Sequence, residues 1–448
     1  MTAETSPLAL RRTITTASLV FVMYFTVSGG PFSLEGLVAS VGPGFAILML
    51  LVIPIVWSLP EVLIVGELAS MLPEEGGYYR WVRRAFGPFW AFQNGWYTWL
   101  YSLVDMAIYP VLFNQYLKWV VPGISPGASW IVSLVVIWGA TFINLRGAFR
   151  VGRVSVWIGL FVVTGFTLLA VVAIPRMHGI PWHPFTKPGQ TPTAALGVAL
   201  STVLWNYLGW DNASTVEGEI VDPGRAYPKA LAIALPLVTL GYFIPLLPAL
   251  GATNWTTWHE GGWPAIARVA AGPLGPFLAN WIAVAGMLSA LALFNALLLA
   301  YSRIPLAMAA DGFLPAAFAR TDGNGTPRNA VLVSAVCYSL FALAPFGQLV
   351  VADVLLYALA LFLEYGALVR LRRAEPDLRG PFRIPVGTGG VIALIVLPSV
   401  VMLATVGVSL VDGEFGLPAV VGSLVAAALG PVAYWLARRN IPQAPTAS

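Results

Sequence analysis

Charge is what this sequence has least of. Of 448 residues only 10% are Asp, Glu, Lys or Arg, while 58% are hydrophobic. A soluble chain of this length carries about a quarter of its residues as charges, so a water-soluble globule is excluded. Cysteine is nearly missing as well. Cys337 stands alone, which rules out an intramolecular disulfide and leaves the redox compartment open. The three histidines, His178, His183 and His259, fall between the apolar runs, where solvated loop positions account for them. No metal-ligand cluster, nucleophile–histidine pairing or G-x-x-x-x-G-K-[ST] phosphate loop is present. An enzyme, a metal and a bound cofactor are therefore not expected. The net charge of +4 does not signal nucleic acid, because the basic residues lie in short loops between apolar segments.

Those apolar segments repeatedly exceed the ~20 residues that cross a bilayer core. Hydropathy predicts an all-α polytopic membrane protein with about twelve transmembrane helices, at 13–39, 44–71, 88–117, 129–146, 154–174, 193–218, 228–251, 276–303, 329–344, 348–369, 388–411 and 415–437. The first is glycine-broken and lacks a cleavage region, so it reads as a span and not a signal peptide. This partition places 20 of the 24 Lys and Arg residues, Arg11 and Arg439 among them, on one face. Lys118, Arg176, Lys187 and Arg268 are left for the other. Such asymmetry follows the positive-inside rule and makes both termini cytoplasmic. Trp119, Trp182, Trp258 and Trp435 suit interfacial belts. Short extra helices are expected within 252–275 and 304–328.

Two spans carry interruptions. "TVSGGPFSLEG" (26–36) breaks the first, and "LWNYLGWDNASTVEGE" (204–219) breaks the sixth. Each opens a set of five spans, and paired interruptions at corresponding positions point to an inverted-repeat transporter. The expected division is 1–192 for the first repeat, 193–387 for the second, and 388–448 for two additional helices and a C-terminal tail. Backbone unwound at Ser28, Gly29 and Gly30 is tolerated at mid-membrane depth only where it lines a cavity. Glycine in membrane helices also serves close packing; the symmetric placement favours a site.

Carboxylates within spans cost at least ~2.5 kcal/mol each, so each needs a reason. Glu35, Glu61, Glu67, Asp105, Asp211, Asp353 and Glu364 all fall there, and no Lys or Arg lies centrally to neutralise them. A desolvated, unpaired carboxylate is a candidate proton carrier or the partner of a cationic solute. Glu35, Asp105 and Asp211 are the candidates for proton coupling. Glu67 could instead fasten the loop "PEEGGYYRWVRR", and Glu364 sits close to a basic loop. In the third span Thr98, Tyr101, Ser102, Asp105 and Tyr109 share one helical face. That stripe suits either an amine-binding cavity or interhelical hydrogen bonding. Trp205, Asn206, Tyr207 and Trp210 crowd the second break, where aromatic faces can hold ammonium groups or simply pack.

Four long stretches, "GELASMLPEEGGYYRWVRRAFGPFWAFQNGW" (66–96), "EGEIVDPGRAYPKAL" (217–231), "YSRIPLAMAADGFLPAAFARTDGNGTPRNAV" (301–331) and "RGPFRIPVGT" (379–388), resemble the amino acid–polyamine–organocation (APC) superfamily. Among its members, "VSGGPFSLEG", "FQNGWYTWLYSLVDMAIYPVLF" and "LGWDNASTVEGE" look most like plant-type polyamine uptake transporters and their bacterial relatives. The resemblance implies a LeuT-type fold with a 5+5 inverted repeat plus two helices. It also implies alternating access, proton-coupled uptake of amino acids or polyamines, and a place in a bacterial cell membrane. By position, Ser28, Gly29 and Gly30 match the first substrate-binding break and Trp205 the gating aromatic. Asp211 matches an acidic position linked in relatives to coupling or amine binding. The chain departs from these relatives at Thr26 and Gly36, where acids are common, and span 5 lacks the lysine some proton-coupled members use. A channel, or a transporter-like amine sensor without coupled flux, are the alternatives, and oligomeric state is not legible.

Overall fold

A computed structural model describes residues 12–323, 325–341, 346–411 and 417–438. Arg11, Arg439, the C-terminal tail and the expected span ends at 342–344 and 415–416 lie outside the described residues. Among those described, helices follow one another in the expected order and no β-strand forms; Ile14 and Ile220 make one isolated bridge. Eight helices are long and apolar enough to cross a bilayer. The remaining spans are the two interrupted ones, the third and the shorter ninth.

Span 1 is Thr16–Val27 followed by Leu34–Val41. Span 2 runs through Pro43–Met71, span 3 is Pro88–Val120, span 4 Pro126–Asn144 and span 5 Ala148–Ala173. Span 6 is Pro192–Trp205, which gives way to a 3₁₀ stretch, Asn212–Glu219. Span 7 is Pro223–Ala252, span 8 Gly275–Tyr301, span 9 Arg328–Phe341, span 10 Phe346–Ala374 and span 11 Thr388–Val411. Span 12 is Leu417–Ala428 continued by Gly430–Arg438. The short helices Trp263–Ala270 and Arg303–Ala310 occupy the two connections expected to hold them.

Proline sets many of the starts. Spans 2, 3, 4, 6 and 7 open at Pro43, Pro88, Pro126, Pro192 and Pro223, where the missing N–H is one the first turn leaves unpaired anyway. Inside span 2 proline acts differently. Pro54 cannot donate to Leu50, and the chain widens into a π-turn, Pro54–Ser58, with the Leu59 N–H bonded to the Pro54 carbonyl. The orphaned Leu50 carbonyl accepts the Tyr207 hydroxyl at 3.2 Å.

Span 3 packs closely against spans 8 and 10, span 8 against span 5, and span 1 against span 7; span 8 is among the most buried helices. Large apolar side chains such as Val135, Trp157, Leu240 and Leu403 are exposed on the periphery, as a lipid-facing surface requires. The arginine-rich face is tied by ion pairs. Arg303 is fully buried and reaches Glu219 at 2.6 Å and Glu75 at 3.7 Å. Asp311 joins Arg80 and Arg83 and accepts the Tyr79 hydroxyl. Glu67 does not fasten the loop it precedes. Its carboxylate takes Arg372 at 2.5 and 2.7 Å and the Ile384 N–H at 2.8 Å, so it pins the segment after span 10.

Candidate functional site

The two interruptions meet. Gly209, at φ +98°, lies so close to the first break that an added Cβ would stand 2.4 Å from the Thr26 carbonyl oxygen. No side chain fits there, which is why glycine occupies the position. Asn206 of the second break donates to Ser33 of the first at 3.0 Å. Gly29 and Gly30 take φ +66° and +127°, and the Gly29 carbonyl accepts Ser289 of span 8 at 2.5 Å.

Unwinding frees backbone groups, and the protein answers most of them itself. The Ser28 and Gly29 amides both bond the Tyr24 carbonyl at 2.9 Å, and the Gly30 amide bonds the Ser28 hydroxyl at 3.1 Å. The Pro31 carbonyl accepts the Trp263 indole at 2.7 Å. At the second break, the carbonyls of Asn206 and Trp210 accept the hydroxyls of Tyr242 and Tyr227 from span 7, at 2.5 and 2.9 Å. Buried polar groups without partners are costly, and these tyrosines remove that cost. The amides of Ser28–Gly30, expected to stand open toward a solute, are already engaged in this conformation.

Between the breaks lies a small cavity lined by Thr26, Val27, Asp105, Tyr109, Trp205, Leu208, Gly209, Asn212, Tyr301, Asp353 and Tyr357. Its volume is about 20 Å³, room for about one water. The site is closed. Trp205 lies over Tyr109, ring centroids 6.4 Å apart and planes inclined by 28°.

Two carboxylates face this space from different helices. Asp105 of span 3 accepts one phenol on each oxygen, Tyr109 at 2.5 Å and Tyr301 at 2.7 Å. Charge-assisted donors of this kind hold an anion in place. Asp353 of span 10 adds a second carboxylate, with one oxygen unpartnered. Behind the cavity Tyr357 joins Asp211 at 2.5 Å to Glu61 at 2.6 Å.

Of the residues singled out in the sequence, Asp105, Tyr109 and Trp205 line the cavity and Asp211 stands one contact behind it. Tyr101 packs edge-on against Tyr301 and Tyr357. Glu35 is elsewhere. It is fully buried in the second half of span 1, accepts Tyr116 at 2.6 Å, and sits by the turn carrying Glu260. Burial raises the Glu260 carboxyl above its ordinary range, partly offset by the Gln115 amide. Asn206, Tyr207 and Trp210 do not line the cavity: Asn206 ties the two breaks through Ser33, Tyr207 reaches the Leu50 carbonyl of span 2, and Trp210 takes part through its backbone carbonyl.

Tyr301, Tyr357, Asp353 and Asn212 were not singled out as site residues. One signal was available: Asp353, Tyr357 and Glu364 recur at i, i+4 and i+11, the spacing that picked out the stripe on span 3. No group of three metal-ligating side chains occurs among the described residues.

Broken helices meeting at a closed, carboxylate-lined cavity inside an all-α membrane bundle define a membrane transporter. The chain belongs to the amino acid permease family, whose profile matches residues 14–424, within the APC superfamily. It is 36% identical over 401 residues to polyamine transporter PUT1 of Oryza sativa subsp. japonica, covering 89% of this chain and 74% of that one. Polyamine transporter RMV1 of Arabidopsis thaliana is 36% identical over 392 residues, 87% of this chain and 79% of its own. The methylthioribose transporter of Bacillus subtilis is more distant, 26% identical over 406 residues and 86% of each chain.

Proposed function

We propose that the protein is a secondary active transporter that takes up amine-bearing solutes, polyamines ahead of amino acids, by alternating access coupled to protons. The observation that carries this reading is Asp105, held by two phenols and lining with Asp353 a narrow cavity between the two breaks. Two carboxylates with no cationic partner suit a solute bearing more than one ammonium group. Asp353 offers from span 10 a counter-charge of the kind missing at Thr26, which lines the same cavity. An amino acid carboxylate would need open amides at Ser28–Gly30, and these are engaged. The names of the rice and Arabidopsis relatives agree with a polyamine.

Size supports alternating access. A cavity of about 20 Å³ admits no polyamine, so loading and release require other conformations. We read spans 1–5 (1–192) and spans 6–10 (193–387) as the two repeats that move, with 388–448 peripheral. Spans 11 and 12 are the least buried of the long apolar helices among the described residues, in keeping with that role. The excess of arginine on one face supports a cell-membrane orientation with both termini cytoplasmic, in a bacterial membrane on the family resemblance. Asp211 and Asp105 are the residues assigned to proton and amine handling. Glu35, on the opposite face, suits a passing contact during entry.

The test is uptake into proteoliposomes of radiolabelled spermidine and leucine, under an imposed pH gradient. Spermidine accumulation that a protonophore abolishes is expected. Absence of gradient-dependent accumulation of either solute overturns coupling, and accumulation of leucine alone overturns the choice of polyamine. Binding without any flux points to an amine sensor instead.

A further inference from the structure

Hydrogen-bond arithmetic separates the two acidic clusters. Around Asp105 there are two phenol donors for one carboxylate, so the negative charge is accommodated without an extra proton. Around Tyr357 the count is reversed. Its oxygen contacts Glu61 Oε1 at 2.6 Å and Asp211 Oδ1 at 2.5 Å, and it also accepts the Gly209 N–H at 3.0 Å. A phenol has a single O–H and two lone pairs. Gly209 occupies one lone pair, and the O–H serves one carboxylate. The remaining carboxyl–phenol contact is a hydrogen bond only if that carboxyl brings its own proton. With both acids ionised, two oxygens would face each other at 2.5–2.6 Å without hydrogen between them, in a site with Glu61 and Asp211 almost wholly buried.

We propose that Glu61, Tyr357 and Asp211 together hold the transported proton, with Glu61 as an equal partner of Asp211 and Tyr357 as the relay that reports its presence to the solute cavity. This rests on the proton-coupled reading above and names the residues of its coupling step. Glu61 has the local structure for the task. The π-turn Pro54–Ser58 lies immediately before it in span 2, and such widened turns recur at functional positions. Tyr357 lines the cavity and holds the Gly209 amide of the second break. Loss of the proton therefore acts on the break that closes the site.

The step is a simple transfer. The O–H bond of the carboxylic acid breaks, the proton passes to water on the side then open, and a carboxylate remains; no electrons move. Two carboxylates then compete for one phenol proton, and a contact to Tyr357 must part. Other groups face the cluster from neighbouring elements: Glu364 beside Asp211, and the hydroxyls of Tyr78, Tyr101, Tyr227 and Tyr365. Among the described residues none of these acids is in an ion pair with lysine or arginine, so no fixed cation supplies the balance.

The experiment compares wild-type protein with Glu61→Gln and Tyr357→Phe in proteoliposomes, using radiolabelled spermidine. Each is assayed for accumulation driven by a pH gradient and for exchange of internal unlabelled against external labelled solute. Folding is checked by size-exclusion profile. The ratio of driven accumulation to exchange is expected to fall at least tenfold in both variants. A folded Glu61→Gln protein with the wild-type ratio overturns the proposal. Should Glu61→Gln not fold, Tyr357→Phe alone decides, by the same criterion. A wild-type protein that shows exchange but no gradient-driven accumulation defeats the coupling reading itself, a different outcome from wild-type accumulation unchanged by the substitutions.

Discussion

Asp105→Asn removes one charge and little else. The amide has the carboxylate's shape, and one of the two flanking phenols can rotate to accept where it formerly donated, so the helix packing stands. What is lost is the anion that faces the cavity. A cation about 4 Å from it in a partly buried site, at an effective dielectric constant near 20, interacts by about 4 kcal/mol. Hydrogen bonds to charged groups measured by substitution contribute ~1.5–3 kcal/mol net. A loss of about 2–4 kcal/mol in spermidine binding is therefore expected, and at 1.4 kcal/mol per decade this is a weakening of roughly 30- to 700-fold. Isothermal titration of the purified protein with spermidine measures it directly. Asp353→Asn, with an acid on the other wall of the same cavity, is expected to weaken binding in the same direction. A change below threefold in Asp105→Asn would refute the counter-ion assignment.

Other substitutions separate structural from transport roles. Tyr207→Phe leaves the Leu50 carbonyl beside Pro54 without a donor, so stability drops by ~1–3 kcal/mol while spermidine affinity is unchanged; a thermal melt and a titration read the two. Glu67→Ala strands the Arg372 guanidinium, only 2% exposed, and costs about 3–5 kcal/mol, visible as lost folded yield. Arg84→Ala breaks the exposed pair with Glu375 and shifts stability by under ~1 kcal/mol, which makes it the control for that comparison. Asp211→Asn is expected to abolish gradient-driven uptake while expression stays intact, measured by proteoliposome transport and by quantitative blotting of the membrane fraction.

The bundle was legible because hydropathy is a one-dimensional signal. The lengths of the apolar runs, the arginine asymmetry and the two glycine-containing breaks gave the order of elements and located the interruptions. Asp105 and Tyr109 were legible for a similar reason, since they repeat with the helical period on one face of span 3. The partners of those residues on other helices come from spans 8 and 6, Tyr301 and Trp205, and nothing in the local sequence around Tyr301 says which helix will stand opposite. Tyr207 illustrates the reverse difficulty. Past Trp205 the chain leaves the α-helix, so spacing no longer assigns a face, and aromatic character alone could not separate a cavity wall from a side chain that satisfies a distant carbonyl. Glu35 follows the first break closely in sequence, yet the second half of span 1 carries it away from the cavity to Tyr116.

A structure of the protein determined with spermidine bound tests the central claim most directly. The account predicts an ammonium nitrogen within hydrogen-bonding distance of Asp105, between the two breaks, with Asp353 facing the same ligand. Spermidine found only in the open pocket beside Trp255, Trp258 and Glu260, with the space between the breaks still closed, would contradict it.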